Sequence, residues 1–212
     1  MPSTWRADAL QARTAIAAGR LRGATLRDRI RRQPVELRDG WLDVALDLPA
    51  LPPDSPLPRG AVPYLPAGVD AILGLVERAP LRRHDTLVDI GAGLGRVVML
   101  AALLTGATAT GVELQAPLVA AARHIAASLG DVRVSFVHGD AREILPDGSV
   151  YVMYAPCNGA MLQAVLARLE AYAHRRAYVL VTIDLPLPPC AWLRPRGGDD
   201  DDAVQCFDAG VV

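Results

Sequence analysis

A glycine-rich turn at residues 88–96 is the first feature of the sequence that could do chemistry. It reads Val-Asp-Ile-Gly-Ala-Gly-Leu-Gly-Arg, between a strand-like apolar run and a helical one. The three glycines permit a sharp turn and a close approach to a ligand, and the amides that open the following helix favour an anion. A dinucleotide fingerprint needs Gly-x-Gly-x-x-Gly, and its third glycine is here Arg96, which disfavours a nicotinamide or flavin site.

Two acidic residues follow this turn at the ends of the next two predicted strands. Glu113 ends the second strand, where a carboxylate can accept hydrogen bonds from both hydroxyls of a ribose. Asp140 follows the third strand, where an adenine would lie. With Asp89 just before the glycines, this order is typical of sites for S-adenosylmethionine (SAM), which carries a carboxylate and an ammonium but no pyrophosphate. The alternative is that Glu113 and Asp140 are ordinary loop acids.

The acceptor side of such a site would lie at the ends of the fourth and fifth strands. The candidate catalytic residues there are Tyr154, Asn158 and Asp184. Asp184 could orient a cation or accept a proton, or it could cap the loop before Pro186. Cys157 has no visible Cys–His–acid arrangement and is interpreted as a pocket-wall residue. The spacing of the three cysteines matches no zinc site, so we expect no metal.

Alternating strands and helices must position these residues. The predicted strands cover residues 86–90, 107–113, 132–137, 150–155 and 177–183, and the predicted helices cover 69–78, 94–104, 116–129 and 160–173. Elements of this length in alternation predict an α/β fold, a parallel sheet with helices on both faces. Short apolar stretches at 191–193 and 203–207 could add a terminal hairpin, with the acidic stretch 197–202 as its solvated loop.

The local structure of the first 66 residues is predicted from turn and helix signals. Residues 4–33 look helical, with a break at Gly23 and with Thr25 as the cap of a second helix. The pair Asp39-Gly40, flanked by Val35-Glu-Leu-Arg38 and Trp41-Leu-Asp-Val44, predicts a tight hairpin. Seven prolines between residues 49 and 66 exclude a helix or a central strand there and predict an extended connector.

The chain is therefore predicted to divide into an N-terminal helical extension with a proline-rich connector, residues 1–66, and a SAM-binding domain, residues 67–212. The extension has no motif of its own. We expect it to form a lid or a partner surface for the acceptor. Its nine arginines within residues 1–38 could instead form a solvated basic face.

Composition excludes several classes of protein. A hydrophobic content of 51% excludes a disordered chain, and the longest apolar run, residues 97–104, is far too short to span a bilayer. A net charge of −1 gives no support for a nucleic-acid or membrane partner. Three cysteines cannot form a complete set of disulfides, and the start of the sequence has no apolar signal core; both features favour a cytoplasmic location.

Residues 64 to about 184 resemble class I SAM-dependent methyltransferases. The segment Val88 to Val98, Gly111-Val-Glu-Leu, Ala-Arg-His at 122–124 and Phe136-Val-His-Gly-Asp140 are most similar to small prokaryotic relatives of the non-SET protein-lysine methyltransferases. The resemblance implies a Rossmann-like sheet of seven strands with the last antiparallel. It also implies a pocket over the carboxyl ends of strands one, four and five.

The resemblance also implies roles for individual residues. The methionine end of SAM would be held by Asp89, Gly91, Gly93 and Gly95, the ribose by Glu113 and the adenine by Asp140. Relatives often have Asn or Asp, Pro and an aromatic residue after strand four, whereas this chain has Ala155 and Cys157 around its proline. Asn158 could substitute for the missing amide. Tyr64 could cover the cofactor, or its ring could pack on the sheet edge.

The sequence thus predicts a SAM-dependent methyltransferase that acts on a protein lysine or a small molecule. No nucleic-acid partner is expected. A non-catalytic SAM-binding module with the same fold is the alternative, because the residues after the fourth strand depart from the pattern of the relatives. A nicotinamide oxidoreductase is disfavoured by Arg96.

Overall fold

The computed structural model describes residues 4–50, 56–79, 81–197 and 203–210. The acidic run 199–202 and part of the proline-rich connector lie outside these residues. Within the described ranges, no helix is long and apolar enough to cross a membrane.

Seven strands form one sheet in the order β3-β2-β1-β4-β5-β7-β6. The strands are β1 Thr86–Ile90, β2 Thr108–Glu113, β3 Val134–His138, β4 Val150–Tyr154, β5 Tyr178–Ile183, β6 Leu193–Pro195 and β7 Val204–Ala209. Strands β1 to β5 are parallel, and β7 runs antiparallel to both β5 and β6. The predicted fold class and the terminal hairpin are confirmed.

The strand order reverses at β1, which lies between β2 and β4. In an open parallel sheet, this reversal leaves a crevice at the carboxyl ends of the two strands where a ligand can bind. The glycine turn after β1 and the loop after β4 therefore face each other across the crevice.

Helices cover both faces of the sheet. They are α1 Thr4–Ala17, α2 Gly23–Arg31, α3 Arg38–Leu46, α4 Val69–Arg78, α5 Arg96–Thr105, α6 Ala116–Ala127 and α7 Gly159–Ala173. Alternate strand residues point to opposite faces, so Leu87 packs in a cluster with α1 to α6, whereas Val88 packs in a second cluster with α7.

The hairpin predicted around Asp39-Gly40 is wrong. Residues Val35–Leu37 form a single 3-10 turn, and Asp39 and Gly40 lie inside α3. The apolar side chains of α3 recur at helical spacing and are buried: Trp41, Leu42, Ala45 and Leu46. A Cβ atom on residue 40 would make an ordinary contact with the Trp5 ring at 3.5 Å, so Gly40 lies where α3 packs on α1 and does not mark a turn.

The predicted Thr25 cap is also wrong. Helix α2 begins at Gly23 after Arg22, which makes no side-chain cap. The Thr25 hydroxyl lies inside the first turn and donates to the Arg22 carbonyl oxygen at 2.7 Å. Helix α1 ends at Ala17 and is followed by Gly19 with a φ of +70°, so the break between α1 and α2 lies before Gly23.

Helices α1 to α3 belong to the same hydrophobic core as the sheet. Ile16, Ile30 and Trp41 are fully buried in one cluster with Leu100 of α5. Several arginines of this region make ion pairs within the chain, among them Arg29 with Asp8 and Arg38 with Asp70. Much of the basic character seen in the sequence is thus neutralised by neighbouring carboxylates.

Replacement of Trp41 tests this shared core. Trp41 is fully buried, and its Nε1 donates to Asp8 Oδ2 at 2.7 Å. Trp41→Ala should lower the free energy of unfolding by about 3–5 kcal/mol, measured by urea denaturation followed by both fluorescence and far-UV circular dichroism. Trp192→Ala, a partly buried control on the other face, should cost less. Two separate transitions in the parent protein would contradict a single core.

Candidate active site

A cavity of about 350 Å³ lies at the carboxyl ends of the parallel strands. Its walls come from the ends of β1, β2, β4 and β5, from α7 and from the connector before α4. The lining is mostly apolar, and its polar side chains are those of Tyr64, Glu113, Gln115, Tyr154 and Asp184. None of the described lining residues is an arginine or a histidine, so the charged groups at the wall are carboxylates.

The glycine turn has the backbone conformation that its sequence predicts. Gly91, Gly93 and Gly95 all have positive φ, between +54° and +82°. Gly91 N donates to the Val112 carbonyl oxygen at 2.8 Å, and Gly95 N donates to that of Ala92 at 2.7 Å. The turn is therefore tied to β2 before it enters α5.

Side chains of the protein, however, occupy the space that these glycines leave free. A Cβ atom on Gly91 would overlap Pro156, one on Gly93 would overlap the Tyr64 ring, and one on Gly95 would overlap Phe136. Close packing of three separate segments thus requires glycine at these positions, in addition to any approach by a ligand.

Glu113 is buried and held in one orientation at the cavity wall. Its Oε2 accepts a hydrogen bond from Gly93 N at 2.9 Å, and its Oε1 accepts one from Gln115 N at 2.8 Å. Each carboxylate oxygen has a second lone pair. The side chain therefore links the glycine turn to the end of β2 and still presents acceptors to a ligand.

Asp89 lies beside this cavity, in a small adjoining space of about 10 Å³ that it shares with Tyr64, Arg96 and Tyr154. The side chain is buried. Burial, and then the nearby Glu113 carboxylate, raise its pKa to about 7. A cationic ligand group at this point would favour the ionised form of Asp89.

Asp140 is engaged by a neighbour. Its carboxylate accepts hydrogen bonds from the Arg142 amide at 2.9 Å and from the Arg142 guanidinium, which lower its pKa. Gly139 and Ala141 line the cavity, whereas the Asp140 side chain is not part of the lining. The structure thus brings the backbone around Asp140 to the cavity and leaves its carboxylate on Arg142.

Two of the three candidate catalytic residues meet at the cavity. Tyr154 and Asp184 end or follow the paired strands β4 and β5 and both line the wall. Burial, and then the Asp184 carboxylate, raise the pKa of the Tyr154 phenol. Asn158 does not line the cavity, and its exposed side chain makes no cap bond at the start of α7.

Backbone strain accompanies this side of the cavity. Ala155 has a φ of +38° and Asp184 one of +47°, in a region that non-glycine residues adopt with difficulty. Such strain persists only where surrounding contacts hold it, and it clusters at functional sites.

Residues 57–65, here called the strap, cover the cavity. Val62 N donates to the Pro156 carbonyl oxygen at 3.0 Å, and Asn158 N donates to that of Gly60 at 2.8 Å. Ala61 and Cys157 form an antiparallel bridge between these two bonds. The Tyr64 ring lies on the glycine turn and lines the cavity, so it does not pack on the sheet edge.

Arg96 is the residue of this region that the sequence analysis missed. It served there only to disfavour a dinucleotide, yet its side chain is 4% exposed and pairs with Asp39 of α3. The available signal was a cation at the first position of a helix, where the helix dipole is unfavourable to it, combined with two acids four residues apart at 39 and 43.

Comparison with known proteins agrees with this geometry. Residues 87–179 match a family described as a methyltransferase domain. The chain is similar to an RNA methyltransferase from Salinibacter ruber in complex with S-adenosyl-L-homocysteine, with 25% identity and a TM-score of 0.59 over 69% of this chain and 94% of that one. No curated protein matches the sequence.

Two more distant structures share the fold. TrmN from Thermus thermophilus is 18% identical with a TM-score of 0.50, over 66% of this chain and 48% of that one. MtNAS in complex with MTA and tNA is 16% identical with a TM-score of 0.51, over 66% of this chain and 60% of that one. The family match and the Salinibacter structure support a SAM-dependent methyltransferase, and the sheet has the Rossmann-like fold of the class I enzymes.

The raised pKa of Asp89 predicts a pH dependence of stability. In the unfolded chain this carboxyl ionises near pH 3.8, and in the fold near pH 7. Its protonated form therefore contributes its full stabilisation of the fold below pH 4, and this stabilisation is lost as the pH rises through 7. The loss is on the order of 4 kcal/mol at about 1.4 kcal/mol per unit. Asp89→Asn, which stays neutral, should be more stable than the parent at pH 8.

Thermal and urea unfolding between pH 4 and 8 measure this difference. Asp28→Asn, at an exposed position of α2, is the matched control and should follow the parent. Parallel pH profiles of Asp89→Asn and the parent would show that the Asp89 carboxyl is not perturbed.

Proposed function

We propose that this SAM-dependent methyltransferase transfers its methyl group to an amine nitrogen, of a protein lysine or of a small molecule. The observation that carries the proposal is the lining of the cavity. It combines the rings of Tyr64 and Tyr154 with the carboxylate of Asp184, and its described residues include no cationic side chain. Rings and carboxylates attract an ammonium group and give an anionic acceptor no counter-ion.

The residues present fit SAM. Apolar walls around Val112 and Leu114 suit an adenine, Glu113 offers acceptors for ribose hydroxyls, and Asp89 offers a buried carboxylate for an ammonium. SAM supplies, when bound, a methyl carbon activated by a sulfonium sulfur.

Asp140 is less well suited to hold the adenine through its side chain, because Arg142 already occupies its carboxylate. Its neighbours Gly139 and Ala141 take that place through their backbone.

The residues on the acceptor side have separable tasks. Asp184 attracts the protonated amine and accepts its proton, because an amine must be neutral to act as a nucleophile. Tyr154 keeps its phenolic proton at neutral pH, since burial and Asp184 raise its pKa, so it donates a hydrogen bond and orients the acceptor. Alignment of the nucleophile and exclusion of water by the strap supply the remaining acceleration.

We also propose that the N-terminal residues divide into two parts. The strap covers the cavity through its bonds to residues 156–158, which supports the expected lid. Helices α1 to α3 pack on α5 behind the sheet, which supports a structural contribution to the core. Asn158 would then contribute through its backbone, as a bonding partner of Gly60, and not as a catalytic amide.

Two observations bear on the nature of the acceptor. The resemblance of residues 88–98 to the relatives of non-SET lysine methyltransferases supports a lysine. The Salinibacter structure is named as an RNA methyltransferase, which makes RNA the macromolecule to test against it. The described lining of the cavity includes no cation, which favours an amine over a phosphate as the group that enters it.

Variants of Glu113 test the cofactor site. Glu113→Ala should weaken binding of S-adenosyl-L-homocysteine about tenfold to a hundredfold, because hydrogen bonds to a charged group contribute roughly 1.5–3 kcal/mol. Isothermal titration calorimetry gives the affinity. Glu113→Gln keeps one acceptor for Gly93 N and so preserves the bond that holds the glycine turn. It therefore separates loss of the hydrogen bonds to the ligand from disruption of that turn. Normal affinity in both variants would remove the ribose assignment.

Variants of Asp184 test the acceptor. Methyl transfer from labelled SAM to lysine peptides, small amines and total RNA should give product on an amine, and Asp184→Asn should lower that rate about tenfold to a hundredfold. Asp147→Asn, at an exposed position before β4, should not. Transfer to RNA alone would overturn the amine proposal. Tight binding of S-adenosyl-L-homocysteine with no transfer to any acceptor would favour the non-catalytic module.

A further inference from the structure

The Arg96 guanidinium lies at the start of a helix, a position that is unfavourable for a positive charge. Arg96 is the first residue of α5 and follows Gly95 directly. The amino end of a helix carries a partial positive charge, and the Arg96 side chain is only 4% exposed. A buried guanidinium at that point needs an anionic partner from elsewhere in the chain.

Helix α3 supplies that partner. Arg96 Nη2 donates to Asp39 Oδ1 at 2.8 Å, and Arg96 Nε lies 3.4 Å from Asp43 Oδ1 without hydrogen-bond geometry. Residues four apart share one face of a helix, so α3 presents both carboxylates to α5. The Asp39 side chain is 57% exposed, so the buried member of the pair is the arginine.

Asp39 has a second partner that leads back to the cavity. Its Oδ1 also accepts a hydrogen bond from Val69 N at 2.8 Å, at the first residue of α4. Gly68, which precedes α4, has no side chain to cap it. Tyr64 lies five residues before Val69 in the sequence, and its ring packs on Gly93.

We propose that Asp39 is a positioning residue for SAM, an inference that rests on the proposed function. One carboxylate oxygen holds both Arg96, which ends the glycine turn, and Val69, which ends the segment that carries Tyr64. The glycine turn and the segment from Tyr64 to Ala67 both line the small space around Asp89, where the ammonium of SAM is expected. Asp39 is absent from the cavity lining, so it acts through its two partners and does not touch the ligand.

Three substitutions separate this role from general stabilisation. Asp39→Ala removes both bonds, whereas Asp39→Asn keeps an oxygen for Val69 N and removes the charge opposite Arg96. Asp70→Asn is the matched control, because the ion pair of Arg38 with Asp70 also joins α3 to α4 but does not involve Arg96.

Calorimetry with S-adenosyl-L-homocysteine, below the unfolding temperature of each variant, is the decisive measurement. We expect the Kd to rise about tenfold for Asp39→Ala and severalfold for Asp39→Asn, in line with bonds to charged groups, and to stay at the parent value for Asp70→Asn. Hydrogen exchange should become faster at residues 91–96 in the Asp39 variants only. In kinetics with an active acceptor, the KM for SAM should rise while kcat at saturating SAM changes little.

Equal affinity of the parent and of folded Asp39→Asn, with unchanged exchange at residues 91–96, would overturn the inference. If Asp39→Ala does not fold, Asp39→Asn and the exchange measurement decide. Failure of the parent itself to bind S-adenosyl-L-homocysteine would instead refute the proposed function, so the two failures are distinguishable.

Discussion

The pairing of the buried Arg96 guanidinium with Asp39 is the interaction on which the arrangement of the molecule depends. A charge at that depth cannot be left without a partner, because its desolvation would cost several kcal/mol. The partner belongs to α3, so the first helices must pack against α5 and cannot form an independent unit. The same carboxylate caps α4 through Val69 N. The end of the glycine turn and the beginning of the core helix thus take their relative positions from one aspartate outside the cavity.

The cavity combines rigid and strained parts. Parallel strands fix the positions of Glu113 and Tyr154, which pair on one side with His138 and Ile183. Directly after β4 and β5, Ala155 and Asp184 adopt positive φ values, and the strap is bonded to residues 156–158. The carboxylate-bearing wall suits a cofactor that is positively charged at sulfur as well as the proposed ammonium acceptor, so the proposal requires one electrostatic property for both ligands.

Residues that the sequence placed at one site are separated by the fold. Asp140 lies next to two lining residues, but Arg142 binds its carboxylate. Asn158 directly precedes α7, and its backbone amide, not its side chain, joins the site through Gly60. Neither outcome follows from position in the chain, because the direction of a side chain at a strand end depends on which neighbour competes for it. Asp39-Gly40 shows the same limit: its turn chemistry gave way to the burial of Trp41 and Leu42 in a helix.

The sequence by itself determined the α/β class, the parallel strands from 86 to 183 and the glycine turn, since alternating apolar runs and positive-φ glycines are local signals. The confirmed bounds of β1 and α4 follow from such signals alone. Only the tertiary structure decided that α1 to α3 share the core, that Tyr64 fills the space above Gly93, and that Arg96 pairs with Asp39. These are contacts between segments far apart in the chain. Which partner satisfies a buried charge, or fills the space left by a missing Cβ, is settled only when the segments are packed together.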